Sequence, residues 1–258
     1  MQALTQARFA EFFNAASSQD VGGSVIVLIP AGVEGIPDWA FQNCRSLARV
    51  SFPPGLASVG AGAFRNSGIE DAALPEGLEH AGDGAFAGCR LLTGLSLPDS
   101  LLYVPDHLCR DDVSLFSARL GRRCRSVGEH AFRGCVSLRS VEWPSVRFSV
   151  GASAFRDSGL VEADLPAGTA SVGPYAFFGC CMLRRARVPA GCSVGPQAFG
   201  WCPSVREVVF EGRTWAQVSR MPAFPFGLKH GGLIRAGAGR VRITVSGPSV
   251  CDGDCEGD

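Results

Sequence analysis

The chain has 258 residues, and its 24 Lys and Arg balance 24 Asp and Glu to a formal net charge of zero. That balance removes any general pull toward nucleic acid or a membrane surface, and no stretch is apolar over the length a bilayer crossing needs. Length alone would fit two compact domains, but the unbroken period described below argues for one elongated domain.

In chain order, the first expected element is a short amphipathic helix over residues 4–16, where Phe9, Phe12 and Phe13 group toward one side. Residues 1–23 are read as an N-terminal capping helix that covers the apolar end of a repeat array. Arg8 and Glu11 interrupt the apolar core a signal peptide needs, so the sequence points to a cytoplasmic chain or one whose leader has been removed.

Residues 24–212 repeat. An Ala-Phe pair recurs with its Phe at Phe41, Phe64, Phe86, Phe132, Phe155, Phe177 and Phe199, in steps of 22 or 23 residues wherever none is skipped. Leu108 and Cys109 keep the phase in the gap, which gives eight units. Self-similarity at this period is the mark of a solenoid, in which each unit buries its apolar side against its neighbours. Eleven residues before the Phe lie Pro30, Pro53, Pro75, Pro98, Pro144 and Pro166, with Gly121 replacing the Pro once. Each Pro closes an apolar segment such as Leu47-x-x-Val50-x-Phe52 or Leu138-x-x-Val141-x-Trp143. The alternation predicts a half-buried strand, ended by a residue with no N–H to donate. A second apolar step ahead of the Phe, as in Val59-Gly60, Val127-Gly128 and Val172-Gly173, predicts a second strand or turn, with Gly permitting a tight bend.

The runs Ile36-Pro37-Asp38-Trp39-Ala40-Phe41-Gln42-Asn43-Cys44-Arg45-Ser46-Leu47 and Val127-Gly128-Glu129-His130-Ala131-Phe132-Arg133-Gly134-Cys135-Val136-Ser137-Leu138 resemble the BspA-like leucine-rich repeat family. The resemblance covers residues 24–212 and departs from the pattern at Leu108-Cys109, Gly121 and the shortened turn Ala190-Gly191-Cys192. It implies a mainly β repeat solenoid, right-handed, with a parallel strand ladder. It also implies protein binding, a role as surface adhesin in several microbes, and no catalytic residues.

Past the repeats, Thr214 is placed to cap one helical turn, and residues 240–245 alternate as a final strand. Residues 213–245 are expected to form a C-terminal cap, and residues 246–258 a flexible acidic tail. Between 165 and 251 ten Lys or Arg face only Glu207 and Glu211, so that tail could fold back onto a basic end.

Of the 11 Cys, Cys44, Cys89, Cys135, Cys180 and Cys202 all fall three residues after the Phe, and Ser67, Asp112 and Ser158 share that slot. A slot that accepts Cys, Ser or Asp wants a small group able to meet turn backbone, so reduced and buried thiols are expected. No phosphate loop, zinc spacing or Ser/His/Asp grouping stands out, and neither enzymatic activity nor a cofactor is expected. His107 and His130 share the slot two before the Phe in neighbouring units, beside Asp106 and Glu129, and are the only metal candidates. The same slot holds Trp39, Gly62, Gly84, Ser153, Tyr175 and Gln197, as an exposed turn would, so no metal site is expected.

Aligning the strands sets Arg185 between Glu162 and Glu207 and Arg187 beside Asp164, a solvated charge ladder. Arg184 next to Arg206 has no such partner, nor has the run Arg110, Arg133 and Arg156 just after the Phe position. These five are the candidate binding residues, a seat for an acidic segment of a protein partner. The expected function is a non-enzymatic protein-binding scaffold, with a cell-surface adhesin as the alternative. Nucleic acid and membrane insertion are not expected, and the oligomeric state is left open.

Overall fold

The structure, a computed structural model, describes residues 24–228, 233–237, 239–244 and 247–250. The expected N-terminal helix and the acidic residues 251–258 lie outside the described residues. The chain is a parallel-strand β-solenoid built from three columns that run its length.

The first column is the expected strand of each unit: Val25–Leu28, Leu47–Ser51, Ala72–Ala73, Gly94–Ser96, Ser117–Arg119, Ser140–Glu142, Glu162–Asp164, Arg185–Val188 and Glu207–Phe210. Within each sheet of this column neighbours pair in parallel, with Ala72↔Leu95, Leu95↔Ala118 and Ala186↔Val208 in register. The ladder is interrupted between Ser140–Glu142 and Glu162–Asp164, and Leu47–Ser51 joins the next rung through an isolated Arg49↔Asp71 bridge. Alternation sends one face inward, so Ala186 and Val188 are buried while Arg185 is exposed. The second column holds short strands, among them Ser58–Val59, Ser126–Val127 and Thr169–Val172, again parallel.

The third column is the turn that carries Ala-Phe. Residues two before and two after the Phe sit at positive φ in every unit, as Trp39 (φ 61) and Asn43 (φ 63), His107 (φ 58) and Asp111 (φ 65), and Tyr175 (φ 56) and Gly179 (φ 72) illustrate. This alternation turns successive N–H groups toward the next rung. Trp39, Phe41 and Asn43 donate to the carbonyls of Ala61, Ala63 and Arg65 at 2.7 to 2.9 Å, and the pattern recurs down the column. Backbone that would otherwise be buried unpaired is thereby satisfied.

Between the columns the Phe rings form a stacked core. Centroids are 5.2 Å apart for Phe41–Phe64 and Phe64–Phe86, 5.2 Å for Phe132–Phe155, and 5.5 Å for Phe155–Phe177 and Phe177–Phe199. The stack is split at Cys109, so Phe86 does not rest on Phe132. In that rung the volume is exchanged: Leu108 fills the slot that Ala takes elsewhere, and both Leu108 and Cys109 are fully buried.

Two expectations change. The Gly of the Val-Gly step is not there for a bend at positive φ. A Cβ on Gly60 would lie 2.4 Å from the Asp38 nitrogen, and one on Gly82 2.3 Å from the Ala61 nitrogen, so the slot needs Gly because adjacent rungs approach closely. The eight units are also followed by a ninth, irregular turn. Phe199 donates its N–H to the Phe226 carbonyl at 3.0 Å, and Leu233–Ala236 pairs in parallel with Glu207–Phe210. Within that turn Thr214 caps the helix Trp215–Ser219 through a reciprocal box with Gln217. Gly239–Thr244 and Gly247–Val250 then add two antiparallel strands, the second inside the stretch expected to be tail.

Candidate binding edge

The turn column is hydrogen-bonded from rung to rung and also forms an exposed edge. Three residue slots line it: two before the Phe, one after, and two after. The first carries large side chains despite positive φ, which costs a non-Gly residue about 1 kcal/mol. Trp39 and Tyr175 there are exposed, and His107 and His130 are half-buried. The second slot holds the expected arginines, Arg110, Arg133 and Arg156, on three successive rungs, and also Arg65 and Phe178.

Arg110 Nε lies 3.3 Å from Asp111 Oδ2, and Arg156 Nε lies 3.3 Å from Asp157 Oδ2. Both pairs are with the next residue at the surface, where an ion pair adds little. The Arg156 guanidinium also lies 4.7 Å over the Phe178 ring. Phe178 in turn meets Tyr175 edge-on at 5.6 Å and Trp201 at 6.5 Å, an exposed aromatic cluster that reading each slot separately did not reveal. Arg133 makes no ion pair among the described residues. On the strand face, Arg184 and Arg206 are exposed neighbours, with the Arg206 N–H donating to the Arg184 carbonyl at 2.8 Å. Beside them the ladder has the expected register, Glu162↔Arg185↔Glu207 and Asp164↔Arg187. Glu207 pairs with Arg185 at 3.8 Å and with Arg235 at 2.9 Å, and Arg187 pairs with Glu211.

His107 and His130 do lie side by side, but face to face: their rings are 5.1 Å apart and 4° from parallel. Both Nδ1 atoms are buried without a hydrogen bond. Burial, then His107, Arg133 and Arg110, hold the His130 imidazole below the usual histidine range, so it is neutral near pH 7. Among the described residues no group of three or more His, Cys, Asp or Glu is arranged to hold a metal ion.

The slot three after the Phe behaves as its composition suggests. Thiols of Cys89, Cys135, Cys180 and Cys202 donate to the carbonyls of Phe64, Cys109, Phe155 and Phe177 at 3.0 to 3.1 Å. The nine described Cys are free, and Cys181 alone among them is exposed. Asp112 takes this slot in the rung of Cys109. Its Oδ1 accepts from the Cys89 N–H at 2.7 Å, whereas Oδ2 is buried with no partner. Burial pushes this carboxyl well above the usual carboxylate range. Among the described residues no helix is long and apolar enough to cross a membrane.

The BspA type Leucine rich repeat region matches residues 25–121 and 106–219, in six copies. No curated protein matches the chain. A solved leucine-rich repeat protein from Bacteroides ovatus is 25% identical, with a TM-score of 0.63 over 72% of this chain and 55% of that one. A leucine rich cell surface protein from Faecalibacterium prausnitzii is 21% identical, with a TM-score of 0.49 over 76% of this chain and 62% of that one. A leucine-rich repeat protein from Eubacterium ventriosum is 16% identical, with a TM-score of 0.50 over 72% and 59%. The chain thus spans little more than half the length of the Bacteroides ovatus protein.

Proposed function

Since the chain belongs to the BspA-type leucine-rich repeat family, we propose that it is a non-enzymatic scaffold whose solenoid surface binds a protein partner through an acidic segment of that partner. The observation that carries the reading is the run Arg110, Arg133 and Arg156 on successive rungs of one exposed edge, flanked by Trp39, His107, His130 and Tyr175. Trp, Tyr and Arg are the residues that most often dominate binding energy at protein interfaces. Here all four flanking residues sit at positive φ, a conformation Gly or Asn would adopt more cheaply. Arg184 and Arg206 on the strand face are the second candidate seat.

Affinity capture from native cells, followed by titration of the captured protein, tests the proposal. Affinity should fall as salt is raised, because exposed charge pairs are screened. It should fall at least tenfold when Arg133→Glu and Arg156→Glu are combined, with the circular dichroism spectrum unchanged. Arg184→Glu with Arg206→Glu is the matched pair for the strand face. Affinity unchanged in both double mutants would sink the proposal. The cytoplasmic location expected from the sequence has no support among the similar proteins. Fractionation with a surface-protease challenge decides between an internal scaffold and a surface adhesin.

A further inference from the structure

The arginine slot along the turn edge is interrupted at one rung, where Ala87 stands between Arg65 and Arg110. In that rung the slot two before the Phe is also empty of side chain, because it is Gly84, and Gly88 follows at the other positive-φ position. A Cβ built on Gly84 would touch Ala87 Cβ at 3.6 Å and His107 at 3.9 to 4.0 Å without a clash, and the absence of any longer side chain there leaves the rung low between its neighbours. The neighbouring Gly62 is different: its Cβ would fall 2.0 Å from Trp39 Cζ3, since the Trp39 ring lies across it. The result is a groove of about 430 Å³, walled by Trp39 at one end and His107 at the other, with Arg65, Arg90 and Arg110 around it.

The polar groups of this groove are incompletely used. Arg65 and Arg90 are exposed and make no ion pair among the described residues. Arg110 Nε is close to Asp111 but out of line for a hydrogen bond, and His107 Nδ1 is buried without one. Asp83 and Asp111 also line the groove, so three guanidinium groups outnumber two carboxylates. A guanidinium presents a planar fork that matches a carboxylate. With an arginine on each flanking rung and a third in the rung between, one added carboxylate over Ala87 would balance the charge.

We propose that this groove seats a glutamate or aspartate side chain of an extended acidic segment, which then runs along Arg110, Arg133 and Arg156 to the aromatic cluster of Tyr175, Phe178 and Trp201. This deepens the scaffold reading and rests on it. From the Phe86 rung to the Phe177 rung is four steps, about 20 Å at sheet spacing, which six or seven extended residues span. The segment therefore has a defined length as well as a charge, and a groove at one end that fixes where it starts.

The probe is fluorescein-labelled hexaglutamate, titrated by fluorescence anisotropy against the full chain, with hexalysine and a heparin hexasaccharide as the other arms. Hexaglutamate should bind and hexalysine should not. Ala87→Glu places a tethered carboxylate in the gap and should weaken hexaglutamate binding at least tenfold, while Ala87→Gln, of equal size and no charge, should weaken it less. Because Ala87 is buried, Arg65→Glu with Arg110→Glu gives a second route at the exposed Arg65 and the half-buried Arg110, again with a loss of at least tenfold. Hexaglutamate binding equal to hexalysine, or unchanged in both Ala87→Glu and the arginine pair, overturns the inference. Heparin displacing hexaglutamate at lower concentration, with the same response to the variants, overturns it in favour of an acidic polysaccharide. A captured protein partner that binds Ala87→Glu as well as wild type removes the groove and leaves the scaffold standing, whereas the absence of any captured partner removes the scaffold.

Discussion

Phe155→Ala should lower stability by about 3 to 5 kcal/mol, the cost of a large-to-small change at a site that cannot collapse. Phe155 is fully buried, stacked on Phe132 at 5.2 Å and Phe177 at 5.5 Å, with the Trp143 ring edge-on at 5.4 Å. Those three ring contacts are lost together, so the effect belongs at the upper end of the range. Each unit is held by its neighbours, and the damage should reach both flanking rungs. Chemical denaturation followed by circular dichroism measures the first effect, and amide exchange in the rungs of Phe132 and Phe177 the second. The exposed Gln42→Ala is the control, and an equal shift for the two would contradict the stacked core.

Asp112→Ser should have the opposite sign. The buried Oδ2 has no partner, and an unsatisfied buried polar group costs about 1 to 3 kcal/mol. Ser already occupies the slot as Ser67 and Ser158. The one bond lost is partly replaced, because the Cys89 N–H also reaches the Phe86 carbonyl at 3.1 Å. A gain of about 1 to 2 kcal/mol at pH 8 is expected. The pH dependence follows from the raised carboxyl: the folded chain holds a proton that the unfolded chain releases near pH 4, so the contribution of Asp112 to wild-type stability declines as pH rises above about 4. The serine variant lacks this decline. Its advantage should therefore widen from pH 4 to pH 8 in denaturant titrations, and a variant less stable than wild type at both pH values would contradict the assignment.

The period carried most of the fold. Counting from Phe gave a phase that survives the replacement of Ala-Phe by Leu108-Cys109, and with it the strand register of Glu162, Arg185 and Glu207. The slot of Cys89 and Cys135 was legible because three chemically different residues share one small, backbone-seeking role. The close approach behind Gly60 was not, since its cause is Asp38 in the preceding rung, and nothing local distinguishes it from a turn glycine. The ninth turn was missed because its Phe226 lies out of period and takes the place of Ala. In the candidate site, arginines on successive rungs were visible, whereas the groove was not. It is made by two small residues, Gly84 and Ala87, and by a Trp39 ring whose placement only the structure gives.

Hydroxyl-radical footprinting of the chain alone and with its captured partner tests most directly whether the turn edge binds. Trp39, Tyr175 and Trp201 on that edge are 42%, 40% and 64% exposed, and Phe116, which shares its slot with Arg184 and Arg206 on the strand face, is 58% exposed. All four should be readily oxidised in the free chain. The partner should suppress oxidation of Trp39, Tyr175 and Trp201 and leave Phe116 unchanged. Protection of Phe116, with the three edge residues oxidised as in the free chain, would contradict the account.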